Sequence, residues 1–435
     1  MAITIETQPT GINSLYKPMF FVYSTNLTYD LSFRFRYSIY LPNTEYDNTP
    51  YTTTNIFKGI SVPTDSDLSY NSASEILKNV SKFNFNPDLT GIDRVQDNMI
   101  FFTEYIEEVD NTGSLSNATS NVIKAMRHID SVTMTDYILA GNTSFLSKFT
   151  THSLRITDDC TLRTIQTDDS NFKYAKYNLV VSDSTYEEIE FKIENPYFDK
   201  CDLNGSTLQW NGDNNIIEIK AGNFGGITVI PLRYKDGTGW HAATHTSETL
   251  IVSGDNISLV MTDSVTASGE LTSYTIEAFD DKDASLSVSE SFTIVQDCRF
   301  DSVNVAWENG IGGVDYFLFD KANEKTISLD KTVYERTPYK LNTEDNTVDN
   351  LDYSRNNTIY RNKTVTTLEA NTNWLSQTEI DNLEDLFKST ETYIYYGGEW
   401  LYVLNTAKEA VIYNKKRKGL KKYKIHFTFS KPTIR

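Results

Sequence analysis

The amino-acid sequence predicts a mainly β protein in which several β-sandwich domains are followed by a C-terminal α+β domain. Its 435 residues exceed what a single hydrophobic core usually supports, so we expect three or four domains. Its 27 Tyr and 23 Phe supply large apolar faces for pleated sheets and favour strands over helices. Closely spaced turn signals in the middle of the chain and one well-capped helix near its end complete the prediction.

The first predicted domain, residues 1–95, is a β-sandwich. Residues 31–40, LSFRFRYSIY, alternate apolar side chains with Ser and Arg, which is the pattern of a strand with one buried face. A second strand is predicted at residues 56–62, where Pro63 ends it. Ser72 and Glu75 have the spacing of a capping box and predict the start of a short helix.

Residues 96–200 form a predicted β-rich middle region, and residues 201–297 form a predicted immunoglobulin-like sandwich. In the middle region, the runs MIFFTEYIE and KYNLVVS indicate short strands. The sandwich is indicated by turn dipeptides that supply the positive φ angles of tight hairpins: Asn204-Gly205, Asn211-Gly212, Gly225-Gly226, Asp236-Gly237 and Ser253-Gly254.

The last predicted domain, residues 298–435, combines a helix with a sheet. Ser376 and Glu379 form a capping box at the helix start. Ile380, Leu383 and Phe387 then share one face of the helix. The run KKYKIHFTF near the end of the chain alternates apolar and polar residues and predicts a strand. We therefore expect the helix to cover an antiparallel sheet.

The net charge of −19 argues against a general nucleic-acid binder, because such proteins place Lys and Arg against phosphates. One segment departs from this acidity and forms a candidate basic patch: Lys415, Lys416, Arg417, Lys418, Lys421, Lys422 and Lys424. We favour a solvated turn between two strands, or a patch that faces an acidic neighbouring subunit. Contact with DNA or another phosphate-rich surface is the alternative.

Cysteine use and hydropathy indicate a protein that folds in the cytoplasm. Cys160, Cys201 and Cys298 are odd in number and lack paired spacing, so buried thiols are expected and a disulfide framework is not. The opening residues MAITIETQP lack the basic start and the apolar core of a signal peptide. No apolar stretch approaches the roughly 18 residues of a transmembrane helix, so we expect no membrane span.

No motif in the sequence specifies a catalytic, cofactor or metal site. His241 and His245 have the spacing of two ligands on a helix, but the Glu of an HExxH motif is missing and the segment is expected to be extended. No GxSxG, SxxK or Cys-His pattern indicates a nucleophile. We therefore predict a protein without enzyme activity, cofactor or metal.

Two carbohydrate-directed functions remain open at this point. A glycosidase needs two carboxylates across a cleft, and pairs such as Asp158 and Asp159 are numerous in this acidic chain, so a polysaccharide-cleaving enzyme stays as an alternative. Trp side chains also stack on sugars. Trp240 is the candidate residue for glycan contact.

Several segments, in their order along the chain, resemble a tail-protein type of phages that infect Bacteroidetes, including crAss-like phages. The resemblance rests on an N-terminal IxIxxxP pattern and on the segments KPMFFVYS, FRFRYSIY, FFTEYIEE, SFLSKFTTHSLRITDDCTLRTI and VAWENGIGGVDYFLFD. These segments span most of the chain. The resemblance implies a structural protein of the tail hub, the tail ring or the distal tail.

Residues 205–297 also resemble a BACON-type module, a β-sandwich of Bacteroidetes proteins that is proposed to bind carbohydrate. The matching segments are GGITVIPL, DGTGWHAAT and SFTIVQD. This resemblance implies either a glycan-binding module or a spacer.

Together the two resemblances imply a virion protein that folds in the host cytoplasm and assembles as a symmetric homo-oligomeric ring. Its expected partners are copies of itself, other tail or neck proteins and tail fibres. The alternative function is a tail adhesin that binds host surface glycans.

Overall fold

The computed structural model confirms the predicted fold class: the chain is mainly β, and a helix covers part of a C-terminal sheet. The structure describes residues 3–26, 34–42, 53–61, 68–95, 99–110, 112–127, 145–166, 172–182, 185–197, 215–244, 247–253, 256–261, 264–296, 300–335, 339–350, 357–406, 422–430 and 433–434. These residues form 31 strands and two helices.

The N-terminal third contains two sheets and a short helix. Its elements are β1 (Thr4–Thr7), β2 (Ile12–Ser14), β3 (Phe20–Ser24), β4 (Arg34–Pro42), β5 (Thr53–Ser61), β6 (Leu68–Ser72), α1 (Ser74–Val80), β7 (Ile92–Arg94), β8 (Met99–Asp110), β9 (Gly113–Thr119) and β10 (Ile123–Met126). One sheet has the order β1-β3-β6, and the other has the order β2-β10-β8-β4-β5 with β9 on β8. Their shared core includes Phe21, Tyr23, Phe35 and Phe102.

Two predictions for this region have clear outcomes. The alternating strand is confirmed, since Phe35 and Ile39 of β4 are buried in the core; residues 31–33 of the prediction lie outside the described residues. The capping box is wrong, because α1 begins after Ala73 and has no side-chain cap. Ser72 is still part of β6, and its hydroxyl lies 2.9 Å from the Ser74 hydroxyl.

The central part of the chain contains a closed barrel. The strands of this part of the chain are β11 (Thr151–Leu154), β12 (Thr161–Gln166), β13 (Tyr174–Ser182), β14 (Tyr186–Glu194), β15 (Asn215–Lys220), β16 (Ile227–Asp236), β17 (Gly239–Ala242), β18 (Glu248–Ser253), β19 (Asn256–Met261), β20 (Ser264–Phe279) and β21 (Glu290–Ile294). Of these, β12 and β15 form a separate three-stranded sheet with β7. The order β20-β13-β14-β16-β18-β19 closes through pairing of β19 with β20. Tyr177, Phe191, Phe224 and Tyr274 form a buried aromatic cluster.

Strand pairing crosses the predicted boundaries at residues 95/96 and 200/201. β4 pairs with β8 across the former, and β13 pairs with β20 across the latter. Of the strands in residues 201–297, β15 pairs with β7 and β12 in a separate sheet, and the others share one sheet with β13 and β14, in which β21 also pairs in parallel with β11. Local sequence patterns identify strands but not the distant strands with which they pair. This is why strand pairs extend across the two predicted boundaries.

The C-terminal part contains one large sheet and the main helix. Its elements are β22 (Val303–Glu308), β23 (Val314–Phe319), β24 (Glu324–Glu335), β25 (Tyr339–Asn342), β26 (Thr347–Asn350), β27 (Asn357–Asn371), α2 (Gln377–Lys388), β28 (Thr392–Tyr396), β29 (Glu399–Asn405), β30 (Lys424–Phe429) and β31 (Thr433–Ile434). The sheet order is β23-β22-β28-β29-β30-β27-β24, with β31 on β27, while β25 and β26 form a separate hairpin.

The predicted helix is confirmed as α2. The Ser376 hydroxyl accepts a hydrogen bond from the Glu379 backbone N–H at 3.3 Å, and the Glu379 carboxylate accepts one from the Ser376 backbone N–H at 2.7 Å. Ile380 and Leu383 are buried. The Asn405 side chain of β29 donates to the Leu386 carbonyl at 3.2 Å, which ties the helix to the sheet.

The chain divides into two compact units. Unit 1 is Met1–Gln296 with Trp307–Phe317, and unit 2 is Asp297–Ala306 with Leu318–Arg435. The predicted boundary at residues 297/298 lies next to this division. The chain enters unit 2 at Asp297, but the segment Trp307–Phe317 belongs to unit 1 again. Local sequence patterns did not predict this assignment. Neither helix in the described part of the chain has the length and hydropathy needed to cross a membrane.

Candidate functional site

The most unusual surface of unit 2 is a long β-structure that we call the arm, which comprises β24, β25, β26 and β27. β24 pairs with β27 along its whole length, from Glu324 opposite Glu369 to Glu335 opposite Asn357. Eleven of the twelve residues of β24 are exposed to solvent. A strand of this length with no buried face is unusual, because strands normally cover a core on at least one side.

Apolar side chains are concentrated on the arm. Of the twenty large hydrophobic residues that are exposed in the described part of the chain, eight belong to it: Ile327, Leu329, Val333, Tyr334, Leu341, Val348, Ile359 and Tyr360. Ile327, Leu329 and Val333 alternate along β24 and therefore share one face, with exposed fractions of 56%, 54% and 50%. An exposed apolar stripe of this kind is often a contact surface for another molecule.

β24 also forms an edge of the large sheet. Among the described strands it pairs with β27 alone, so its other side presents backbone N–H and C=O groups to solvent. Lys325 and Lys331 lie on this strand, and charged side chains of this kind limit uncontrolled pairing of edges. The arm therefore combines an apolar stripe with an edge that is only partly protected.

A groove of about 430 Å³ adjoins the arm within unit 2. It is lined mainly by aromatic and aliphatic residues: Lys325, Thr366, Tyr393, Tyr396, Trp400, Leu401, Tyr402, Phe429 and Ser430. The Lys325 ammonium lies 4.8 Å from the centre of the Tyr396 ring and donates to its hydroxyl at 3.2 Å. The groove has the size and the apolar lining of a ligand or side-chain pocket.

Unit 1 carries a second apolar surface, which we call the β3–β6 face. On β3 and β6, outward residues alternate with buried ones, so that Phe21 and Tyr23 enter the core while Phe20 and Tyr70 point to solvent. The Phe20 and Tyr70 rings lie 6.0 Å apart in a T-shaped arrangement, with exposed fractions of 48% and 55%. This face is aromatic, and the stripe on β24 is aliphatic.

Trp240, the predicted glycan contact, lies in the β16–β17 hairpin of unit 1 and is 39% exposed. The Arg233 guanidinium lies 4.2 Å from the centre of its ring. Two Arg233 nitrogens donate to the Glu190 carboxylate, at 2.5 and 3.0 Å, and the hydrogen bond raises the pKa of Arg233. The charge pair holds the indole in place and leaves part of it accessible.

The predicted metal pair does not form a helical site. His241 lies in β17, where its Nε2 donates to the Asp236 carboxylate at 3.0 Å and its ring stacks on Tyr234. His245 lies outside the described residues. Hydrogen bonds from Thr238, with a smaller contribution from His241, lower the pKa of Asp236 to about 2. Within the described ranges no group of three His, Cys, Asp or Glu residues is arranged to hold a metal.

Only the end of the predicted basic patch belongs to the described residues. Lys415, Lys416, Arg417, Lys418 and Lys421 lie outside them. The Lys422 ammonium is 4.6 Å from the centre of the Trp374 ring, and Lys424 forms an ion pair with Glu369 at 2.6 Å. These two lysines therefore contact neighbouring side chains of unit 2 itself.

Unit 1 contains buried charges that the sequence analysis did not identify. Arg163 is fully buried and donates to Glu218 at 2.9 Å. Burial raises the pKa of Glu218, and the positive charge of Arg163 opposes this shift. Arg127 forms a second buried pair, with Glu308, through two hydrogen bonds of 3.1 and 3.0 Å. No local motif predicts such pairs, because the partners are far apart in sequence.

The carboxylate pair Asp158 and Asp159 also has a structural role. Asp158 is fully buried and accepts hydrogen bonds from Arg155 at 3.0 Å, while Asp159 lies 3.5 Å from the Lys220 ammonium. The neighbouring Cys160 is buried, as predicted, and burial raises the pKa of its thiol. A buried thiol with a raised pKa is a poor nucleophile, since the thiolate is the reactive form.

No family model and no curated protein matches the chain. A solved marsupial T cell receptor is similar over 85% of this chain and 96% of its own, at 7% identity and a TM-score of 0.17. A TM-score this low carries no argument about fold or function.

Proposed function

We propose that this protein is a structural component of a bacteriophage virion tail, in the hub, the ring or the distal part. In this role it assembles as a symmetric homo-oligomer and docks other tail or neck proteins and tail fibres. The observation that supports the proposal most directly is the arm, since its exposed apolar residues are those that a subunit interface would bury. The role is assembly, and no catalytic step is proposed.

The energetics of the arm favour association with another molecule. Fully burying one aliphatic or aromatic side chain stabilises a complex by about 1.5–3 kcal/mol, and each of the eight exposed residues of the arm, being about half exposed, can contribute roughly half of that. Part of this gain offsets the rotational and translational freedom that the partners lose. In a monomer these side chains stay in contact with water and contribute no burial free energy, whereas in the proposed ring they are buried and stabilise the assembly.

The assignment to a phage tail rests on the sequence resemblance. Two of the segments that carry it, SFLSKFTTHSLRITDDCTLRTI and VAWENGIGGVDYFLFD, contact each other in unit 1. Ser147 of the former donates to Asp315 of the latter at 2.8 Å, and Asn309 donates to the Leu146 carbonyl at 2.8 Å. These hydrogen bonds show only that parts of the two segments pack against each other, so the assignment to a phage tail stays a proposal from sequence.

The oligomeric state of the purified protein tests the proposal. We expect size-exclusion chromatography with light scattering to show a discrete oligomer, and electron microscopy to show rings. Leu329→Asp should shift the protein towards monomer, because a carboxylate in the apolar stripe must be desolvated on assembly. Val288→Asp is the matched control, since Val288 is equally exposed but belongs to unit 1 and is not part of the arm. A wild-type protein that remains monomeric up to high concentration would falsify the proposal.

A second function, host-glycan binding, is favoured by the accessible indole of Trp240. Trp240→Ala in the full chain should abolish binding on an array of host polysaccharides. Trp374→Ala is a close control, because Trp374 is also exposed and also lies against a cation, but in unit 2. Equal binding by the wild type and both variants would show that Trp240 is not the contact residue, and no binding by any of them would remove the glycan function.

A further inference from the structure

The described residues include two different exposed apolar surfaces, one in each unit. The arm belongs to unit 2, and the β3–β6 face belongs to unit 1. A symmetric pair of copies would need only one surface, because an isologous contact uses the same patch twice. A head-to-tail contact needs two different surfaces, and when it is repeated it closes a ring or extends a filament.

The stripe on β24 can form the apolar centre of a specific contact. Its three apolar residues, Ile327, Leu329 and Val333, are each about half exposed, which amounts to roughly 80–100 Å² per residue and on the order of 250–300 Å² in all. This area approaches the roughly 300–600 Å² of the largest apolar patch on a typical monomer. An interface of standard size buries roughly 800 Å² on each partner, so polar surface around the stripe completes the contact.

The two surfaces are also complementary in chemistry and charge. The stripe on β24 presents the aliphatic side chains of Ile327 and Leu329, with Lys331 on the same face. The β3–β6 face presents the Phe20 and Tyr70 rings, with Glu6 of β1 on the same side of the sheet, where it accepts a hydrogen bond from Ser24. Aliphatic side chains pack well against aromatic rings, and the lysine and the glutamate have opposite charge.

From these observations we infer that the arm of one copy docks on the β3–β6 face of the next copy. The inference rests on the proposed self-assembly and specifies its interface. The stripe of β24 covers the Phe20 and Tyr70 rings, and the same contact repeats from each copy to its neighbour around the ring. Every copy then contributes one arm and one face, so no apolar surface of either kind is left exposed in a closed ring.

Two single-site variants of the full chain test the inference by complementation. Leu329→Asp blocks the arm and leaves the β3–β6 face intact, and Tyr70→Asp blocks the face and leaves the arm intact. Both side chains are more than half exposed, so we expect both variants to keep the circular dichroism and the melting temperature of the wild-type protein. Phe20→Ser serves as a second face variant in case Tyr70→Asp unfolds.

The expected results are specific to a head-to-tail contact. Each variant alone should be monomeric, because every contact needs one arm and one face. An equimolar mixture should form a heterodimer of twice the monomer mass, in which the intact arm of the Tyr70→Asp copy meets the intact face of the Leu329→Asp copy. The two blocked surfaces at the ends of this dimer prevent further growth.

Other outcomes separate the inference from the proposed function. If the wild type assembles and the face variants assemble equally well, the docking inference is wrong and self-assembly stands. The inference is equally wrong if the mixture stays monomeric while the wild type forms rings. A wild-type protein that is monomeric under all conditions removes both the inference and the proposed function.

Discussion

Unit 1 and unit 2 depart from the usual distribution of side chains in opposite ways. Unit 1 buries charged groups: the pair Arg163–Glu218, the pair Arg127–Glu308 and the lone carboxyl group of Glu104. Unit 2 instead exposes a stripe of aliphatic residues on the arm. A buried charge is stable only with its partners in place, whereas an exposed apolar stripe costs little in the monomer. The stability of unit 1 therefore depends on charge partners in its interior, whereas the arm of unit 2 keeps an apolar stripe exposed.

The tightest packing of unit 1 predicts the largest effect. A Cβ atom on Gly313 would lie 1.7 Å from the Leu146 carbonyl oxygen, which is backbone and has little room to move. Gly313→Ala should therefore prevent folding or cost more than about 4 kcal/mol of unfolding free energy. Gly237→Ala is the control, since no atom lies within 4 Å of its added Cβ. Urea denaturation of both variants measures the difference, and equal midpoints would contradict this packing.

The buried ion pair of unit 1 predicts the next largest effect. Arg163→Ala leaves the Glu218 carboxylate buried without its cation and should cost about 3–5 kcal/mol. The double variant Arg163→Met with Glu218→Leu removes both charges and fills much of the space. It should recover most of the lost stability. If the Arg163→Ala variant and the double variant lose the same unfolding free energy in chemical denaturation, the unpaired charge of Glu218 is not the cause of the loss.

Glu104 predicts a pH dependence of stability. It is fully buried, and burial raises its pKa to about 8, while a hydrogen bond from Asn71 at 2.5 Å opposes the shift. Between pH 4.5 and about pH 8 the folded protein keeps a proton that the unfolded chain releases, so stability falls as the pH rises. The slope contributed by this group is about 1.4 kcal/mol per pH unit.

Glu104→Gln isolates that contribution, because the amide has the same shape and no charge. The variant should match the wild type near pH 4.5 and be more stable by about 3 kcal/mol at neutral pH. Denaturant titrations of both proteins across this range give the two curves. Parallel curves would show that Glu104 does not titrate in this window.

The sequence predicted individual strands and helices better than it predicted which strands pair with each other. The strand around Phe35 and the helix with its Ser376–Glu379 capping box could be found from local pattern, because both signals lie within a few residues. The barrel could not, since β13 and β20 are about a hundred residues apart and nothing local specifies their pairing. Ser72 shows the opposite error: its spacing to Glu75 fits a cap, but pairing of β6 with β3 keeps it in a strand.

The candidate surfaces were harder to predict for a related reason. Ile327, Leu329 and Val333 alternate with polar residues, which is the pattern of a strand with one buried face. The structure has the strand but leaves that face open. Alternation indicates that a face is apolar without indicating whether the same chain covers it, so a core strand and an interface strand look alike in sequence. Trp240, the predicted glycan contact, is 39% exposed, but Arg233 could not be foreseen as its neighbour.

The smallest expected effect is the sharpest test of the difference between core and interface. Leu329 and Leu368 lie in adjacent, paired strands, with exposed fractions of 54% and 3%. Leu368→Thr should cost roughly 2–4 kcal/mol, because a buried methyl-rich side chain is replaced by a hydroxyl group without a partner. Leu329→Thr should change the stability of the monomer by less than about 0.5 kcal/mol.

Protein concentration then separates the two sites. At concentrations where the protein is monomeric, only Leu368→Thr should lower the melting temperature. At higher concentrations assembly stabilises the wild type by mass action, and Leu329→Thr should lose part of that gain. The same leucine would thus be neutral in the isolated chain and stabilising in the assembly. A Leu329→Thr penalty that is the same at every concentration would mean that this side chain is packed within its own copy, and the arm would then be a folded element without a partner.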